Sequence, residues 1–309
     1  MGSRAVDETR QPRGVAHRDA TMPLTTFQRT LLAELAKSPA AERYLAGGAA
    51  LHFAPGSARF SDDLDFFHDT ETQVAAAFAA DREVLIAFGC SVDIILSQPG
   101  FVRALVKKSG DATRVDWAHD SAWRFLPLVH DALGGWMLAP VDLAINKVLA
   151  LAGRDEARDF VDILYVHDNV LPLAALSWAA VGKDPGFTPL SLLELLKRRG
   201  RYHDEDFARL DLAAPLDLQQ AKETWLAALR DADDFARERP REEAGCLYHD
   251  ISEERFVVPV TGVDIAAQGI VPHFGASGGV VPRITDSRIE PGTPSELPPR
   301  SRNRDSGSA

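Results

Sequence analysis

The run RFSDDLDFF, Arg59 to Phe67, constrains this chain more than any other segment, because it sets Asp62, Asp63 and Asp65 among residues that ask for a dry interior. Successive side chains of a strand face opposite ways, so Asp63 and Asp65 share one face while Leu64 and Phe66 take the other. If the Leu64 face packs against helices, the Asp face has to open into a cleft, since an unpaired buried carboxylate is prohibitively costly. Like charges this close repel unless a cation neutralises them, and Mg²⁺ has the hard preference for carboxylate oxygen that such a site needs. The run therefore predicts a metal-binding strand, with Asp62 on the opposite face as a solvated bystander. Two ions about 3.5 to 4 Å apart on such carboxylates can activate an attacking oxygen and stabilise a leaving pyrophosphate.

Around this strand the apolar periodicity switches between helix and strand. TTFQRTLLAELAKS has a Thr cap and places Phe27, Leu31, Leu32 and Leu35 at helical spacing. YLAGGAALHF runs from a short apolar stretch into Gly47 and Gly48 and resumes as a helix. TETQVAAAFAADREVLIAFGC reads as a long helix, and SVDIILSQ, FVRALVKKS and ATRVDWAHD read as strands. The pattern is α+β, a mixed sheet with flanking helices. From Pro140 helical periodicity takes over through PVDLAINKVLALAGRDEARDFVDILYVHD, TPLSLLELLKRRGRYHDEDFARLDL and LDLQQAKETWLAALRDADDFARER. GCLYHDISEERFVVPV then suggests a small hairpin or flap. The expected organisation is a disordered tail over 1–22, a catalytic domain over 23–139, a helical domain over 140–240, the flap extension over 241–281, and a disordered Pro/Ser/Gly-rich tail over 282–309.

A hydrophobic content of 45% can fill a sizeable core. The formal charge of -11 excludes a general nucleic-acid coat protein and confines any RNA contact to a local patch. Cys90 and Cys246 have neither metal-ligand spacing nor a disulfide framework, which suits a reducing cytosol, with both thiols buried. No apolar stretch reaches membrane-spanning length, so a soluble cytoplasmic protein with no membrane contact is expected.

Other residues join the acidic run as candidates. Gly47 and Gly48 precede a helix, where backbone N–H groups and the helix dipole suit a phosphate. Asp116 in RVDWA alternates with Val115 and Trp117 and is the preferred third carboxylate; Asp93 in SVDIIL shows the same alternation and is its rival. Lys147 sits among Ile145, Val148, Leu149 and Leu151, so its ammonium either snorkels to solvent or meets an anion. Asp159 and Asp162, three apart on the next helix, either join an ion-pair network with Arg154 or Arg158 or serve the site. Arg59 either braces the strand or contacts a phosphate; Ser61 either caps a turn or bonds Asp63. His52 reads as a packed or half-exposed histidine, and Lys107 and Lys108 as a solvated hairpin end. The basic cluster KRRGRYH, Lys197 to His203, is either a dipole-matched helix C-terminus or an RNA-backbone contact with Tyr202 as a stacking surface.

A Gly pair before a helix, then Asp-X-Asp on a strand, then a later strand Asp resembles the nucleotidyltransferase superfamily whose minimal fold is similar to that of polymerase β. More closely, the chain resembles the AbiEii/AbiGii toxin-like family. YLAGGAALHF, RFSDDLDFF, NKVLALAGR and ARDFVDIL match its Gly-Gly start, Arg-X-Ser before Asp-hydrophobic-Asp, and downstream Lys and Arg-Asp pair, in order over about residues 42–168. The resemblance implies a nucleotidyltransferase-like fold and metal ligation by Asp63 and Asp65, joined by Asp116. It further implies nucleotide contact by Gly47 and Gly48, triphosphate contact by Lys147, and a catalytic-site role for Asp159, with Arg59 and Ser61 as nucleotide-binding candidates whose structural roles stand equally open. Ala49 departs from the family's usual Ser or Thr, which removes a hydrogen bond worth about 1 to 3 kcal/mol if its partner stays buried. The implied activity is Mg²⁺-dependent transfer of a nucleotidyl group from an NTP to a tRNA end or a protein hydroxyl. A toxin role, with a separately encoded antitoxin as partner, comes with it. The alternatives are a catalytically inactive nucleotide-binding relative and a metal-dependent glycosyltransferase.

Overall fold

Thr25 accepts a hydrogen bond from the Gln28 backbone N–H while the Gln28 side chain accepts one from Thr25, a capping box that starts α1 (Thr26–Leu35). Its Leu31, Leu32 and Leu35 are buried, as the periodicity predicts. The computed structural model describes residues 24–38, 43–54 and 56–282. The expected tail over 1–22, and the C-terminal tail beyond its first residue, lie outside the described residues.

After α1 come β1 (Tyr44–Ala46), α2 (Gly47–Leu51), β2 (Asp63–His68) and α3 (Glu71–Ala87). Three long antiparallel strands follow, β3 (Ser91–Gln98), β4 (Phe101–Lys108) and β5 (Asp111–His119), then the short β6 (Trp123–Arg124), β7 (Val129–Asp131) and β8 (Gly135–Met137). They build a mixed seven-stranded sheet in the order β3-β4-β5-β2-β1-β8-β7, in which β2 runs parallel to β5 and β1 parallel to β8. One face is covered by α1 and α3. On that face Leu64 and Phe66 of β2, Val102, Ala104 and Val106 of β4, and Val115 and Trp117 of β5 are buried. Asp81, buried on α3, is paired by Arg43 and by the Trp117 indole N–H at 2.9 Å.

β2 begins four residues later than RFSDDLDFF suggests. The residues before it pair elsewhere: Phe60 N–H donates to Asp211 O at 2.8 Å, Ala213 N–H donates to Ala58 O at 2.9 Å, and Arg59 bridges Leu212. Asp62 is consequently an exposed bend residue ahead of the strand, and not a member of its opposite face.

The helical region contains α4 (Pro140–Arg154), α5 (Ala157–Asn169), α6 (Leu173–Lys183), α7 (Pro189–Leu196), the single turn α8 (Asp204–Phe207) and α9 (Leu218–Glu238). Every residue of α6 from Leu173 to Val181 is buried, and Ala221, Trp225, Ala228, Leu229, Ala232 and Phe235 form the buried stripe of the amphipathic α9. Asp155, left-handed at φ 50°, turns the chain between α4 and α5 and brings both helices to the open face of the sheet. The C-terminal part forms a three-stranded sheet, β10-β9-β11, from β9 (Leu247–Asp250), β10 (Arg255–Val257) and β11 (Ile270–His273). β12 (Ala276–Ser277) pairs with β6. The suggested flap is therefore a hairpin extended by a third strand. Cys90 and Cys246 are both buried.

Candidate active site

Between the open face of the sheet and the ends of α4 and α5 lies a cleft of about 870 Å³. Its floor is laid down by strand register. Asp65 of β2 stands opposite Asp116 of β5, which stands opposite Arg103 of β4; in the next row Asp63 stands opposite Arg114. Alternation puts all five side chains on the open face, while Leu64, Val115 and Trp117 take the core face. Asp93 is exposed on the edge strand β3, two strands from β5, and pairs with Lys107 at 2.8 Å.

The three carboxylates differ in their partners. Arg103 grips Asp116 with two hydrogen bonds, Nε to Oδ1 at 2.9 Å and Nη2 to Oδ2 at 2.6 Å. Arg114 donates to Asp63, and Arg158 of α5 comes within 3.8 Å of the same carboxylate. No hydrogen-bonded cation reaches Asp65 among the described residues. Burial pushes its carboxyl up to about 6, and the charges of Asp116 and Asp63 add to the rise, against weaker opposition from Lys147 and Arg158. A row of crowded carboxylate oxygens short of positive charge fits a divalent cation in donor chemistry. Among the described residues, however, no three acidic, His or Cys side chains converge into a ready metal cage.

Both glycines of the pair line the cleft, and each is needed there. Gly47 has φ +63°, and a Cβ on it would lie 1.9 Å from Asp65 Oδ2; a Cβ on Gly48 would lie 2.6 Å from Arg59 Nη2. Close packing of the start of α2 on β2 thus requires residues without side chains. Ala49 is fully buried and does not line the cleft. Ser61 donates to the Asp63 carbonyl at 3.0 Å, fixing the entry into β2.

Behind the floor sits a buried polar knot centred on Asp162 of α5. Arg59 binds it through Nε and Nη2 at 2.6 and 2.8 Å, Lys147 Nζ lies 2.7 Å from Oδ2, and His52 Nε2 lies 2.7 Å from Oδ1. Burial alone would raise the Asp162 pKa, yet Lys147 and Arg59 hold it well below the usual carboxylate range. His52, fully buried, is pushed down by desolvation despite its bond to Asp162, so its ring is neutral near pH 7. Lys147 does not snorkel; it faces Asp162 and, at 3.5 Å, Asp159, and it also lines the cleft. Asp159 is fully buried, held by Arg154 at 2.6 and 2.8 Å, and touches the cleft only through Lys147 and Arg154.

The basic cluster after α7 is partly occupied, with Arg198 and Arg201 exposed. Lys197 pairs with Glu194 and Asp233, Arg199 with Asp155, and Tyr202 is buried with its hydroxyl donating to Asp155 at 2.7 Å, so it offers no open stacking face. The sequence patterns single out neither Arg103 nor Arg114, and they offer Arg158 only as an ion-pair partner of Asp159 or Asp162, not as a neighbour of Asp63. The alternation that selects Asp116 also puts Arg114 on its face, whereas the Arg103 to Asp116 register is not written in either strand alone.

The family described as Nucleotidyl transferase AbiEii toxin, Type IV TA system, matches residues 30–245, which span the sheet, the cleft and the helices around it. The chain belongs to this family. It is accordingly a nucleotidyltransferase of a toxin–antitoxin family. Among solved structures it is similar to an H. pylori protein assigned to the nucleotidyltransferases, at 18% identity and TM-score 0.44, over 69% of this chain and 95% of that one. It is also similar to the nucleotidyltransferase toxin MenT4 from Mycobacterium tuberculosis H37Rv, at 17% identity and TM-score 0.43, over 70% and 83% of the two chains. No curated protein matches it. Among the described residues no helix is long and apolar enough to cross a membrane.

Proposed function

We propose that the cleft transfers a nucleotidyl group from an NTP to an acceptor hydroxyl on an RNA end, such as that of a tRNA, or on a protein, and that the chain is the toxin of a pair whose antitoxin is separately encoded. The observation that carries this is that Asp63, Asp65 and Asp116 line one cleft together with Gly47 and Gly48, in a chain of this family. Those three carboxylates would hold Mg²⁺. When bound, it supplies neutralisation of the carboxylates and of the charge that develops on the phosphates. Gly47 and Gly48 line the cleft with Arg59 and Ser61 beside them, and would meet the phosphates through their backbone. Lys147, paired with Asp162 and Asp159, faces the cleft as a fixed charge for the triphosphate. Asp159 acts on the site by holding Lys147 and Arg154. Rigid placement of these charges in the cleft would be the main source of rate enhancement.

Incubating the protein with each labelled NTP, Mg²⁺, and total cellular RNA and protein tests the reading. Label in one pool identifies the acceptor, and Asp63→Ala should abolish it. Ala49, buried just behind the cleft lining, lacks the hydroxyl usual at this place in the family and favours a second reading as a nucleotide-binding relative without transfer. Mg²⁺-dependent NTP binding with no label in either pool would select that reading.

A further inference from the structure

Two of the carboxylates assigned to the metal already hold cations of their own. Arg103 and Arg114 come from neighbouring strands at the register positions facing Asp116 and Asp63, so the pairings are built into the sheet. The side chain of Asp116 is 7% exposed and that of Asp63 15% exposed, whereas those of Arg103 and Arg114 are 34% and 37% exposed. The acids are fixed in the floor and the guanidiniums reach them from the solvent side. A carboxylate as buried as Asp116 cannot be left without a counter-charge, since stripping one partner from a buried pair is strongly destabilising. Arg103 occupies both oxygens of Asp116, so a dication can reach them only against a guanidinium that repels it at a few ångströms. Whatever enters has to take the place of what leaves.

We propose that Arg103 and Arg114 form a guanidinium latch on Asp116 and Asp63, which a divalent cation displaces, so that metal entry and the release of both arginines into the cleft are a single exchange. The inference rests on the metal reading of this cleft given above. It accounts for the lack of a converged metal cage among the described residues: the carboxylates are drawn apart toward their own arginines. Asp65, which no hydrogen-bonded cation reaches among the described residues, stands next to both latched carboxylates, on the same strand face as Asp63 and opposite Asp116, where an arriving cation would meet it. Arg103 has somewhere to go, since its guanidinium already lies 5.2 Å from the centre of the Phe101 ring and keeps that contact when it leaves Asp116. Both freed side chains still line the cleft, where an anion arriving with the metal would take the hydrogen bonds the carboxylates gave up.

The test is Mn²⁺ binding by calorimetry to the full chain, comparing wild type with Arg103→Gln and Arg114→Gln, each checked for an intact melting transition. Removing the competing cation should tighten Mn²⁺ binding by about tenfold in each variant, the scale of coupling between close charge pairs. In ¹⁵N-arginine spectra of the wild type, the Arg103 Nε–H resonance, identified by its loss in Arg103→Gln, should shift as Mg²⁺ saturates the site. Equal or weaker Mn²⁺ binding in both variants, or an Arg103 resonance indifferent to bound Mg²⁺, overturns the latch while leaving the metal reading standing. Failure of wild type and both variants to bind Mn²⁺ overturns the metal reading, and the latch with it.

Discussion

Asp65 is the residue at which function and stability pull in opposite directions. Its folded pKa of about 6 lies above the unfolded value, so the ionised carboxylate opposes folding once the pH passes about 4, and most strongly above 6. Asp65→Asn should therefore stabilise the protein by about 1 to 3 kcal/mol at pH 7 and by nothing below about pH 4, while transfer is lost. Urea denaturation at both pH values beside a label-transfer assay checks this, and a destabilised variant at pH 7 would contradict it. Gly47→Ala should lose on both counts. Its φ of +63° costs an L-residue about 1 to 2 kcal/mol, and the new Cβ, 1.9 Å from Asp65 Oδ2, must displace the carboxylate. The expected result is a lowered melting temperature together with lost transfer; a variant of wild-type stability would mean that the start of α2 can move. The pairing of Asp63 with Asp65 was legible because strand alternation is a local rule. The Gly pair was legible as a site feature for an incomplete reason, since it also clears space for Asp65 and Arg59, a contact between positions far apart in the chain.

At the scale of elements, Asp162 ties α5 to α4 through Lys147, to α2 through His52, and to the segment entering β2 through Arg59. Its folded pKa is depressed, so its stabilisation is fully present above the unfolded carboxylate value and disappears as pH falls through the lower folded one. Asp162→Asn should cost about 3 to 5 kcal/mol at pH 7, because three buried partners lose their counter-charge or acceptor. The gap from wild type should narrow as the pH drops below about 4. Denaturation curves at pH 7 and pH 3 measure it, and a constant gap would place the cost in packing. The long helices and β3 to β5 were readable because a period repeats several times within each. β1 and β6 to β8 have two or three residues apiece and no period to read. RFSDDLDFF read as too long a strand because Arg59 and Phe60 pair with residues 211–212, and no local pattern announces a partner about 150 positions away.

Across the whole molecule, the family match ends at residue 245, just before β9, and the part beyond it fastens the sheet to the helices. β12 pairs with β6 and His273 Nε2 lies 3.0 Å from Phe125 O, while just inside the match the Trp178 indole N–H of α6 donates to Glu243 O at 2.9 Å. Trp123 of β6 sits at the centre, edge-on to Phe125, against Gly182 of α6 and Gly275 before β12. The same end of α6 reaches the cleft, where Lys183 pairs with Asp120 at 2.7 Å. A Cβ on Gly275 would lie 2.6 Å from the Trp123 ring and 2.8 Å from the Arg124 carbonyl oxygen; neither neighbour can yield cheaply, one being a packed indole and the other backbone. Gly275→Val should accordingly separate β12 from β6 at a cost of about 1 to 3 kcal/mol. Limited proteolysis would then cut within residues 246–282 well before the family-matched part. The hydrogen bonds between Trp178 and Glu243 and the packing of Gly182 on Gly245 lie upstream of the new clash and should survive it. Simultaneous loss of both parts in one step would instead mean that the C-terminal strands and the catalytic fold are a single cooperative unit, held together through Trp123.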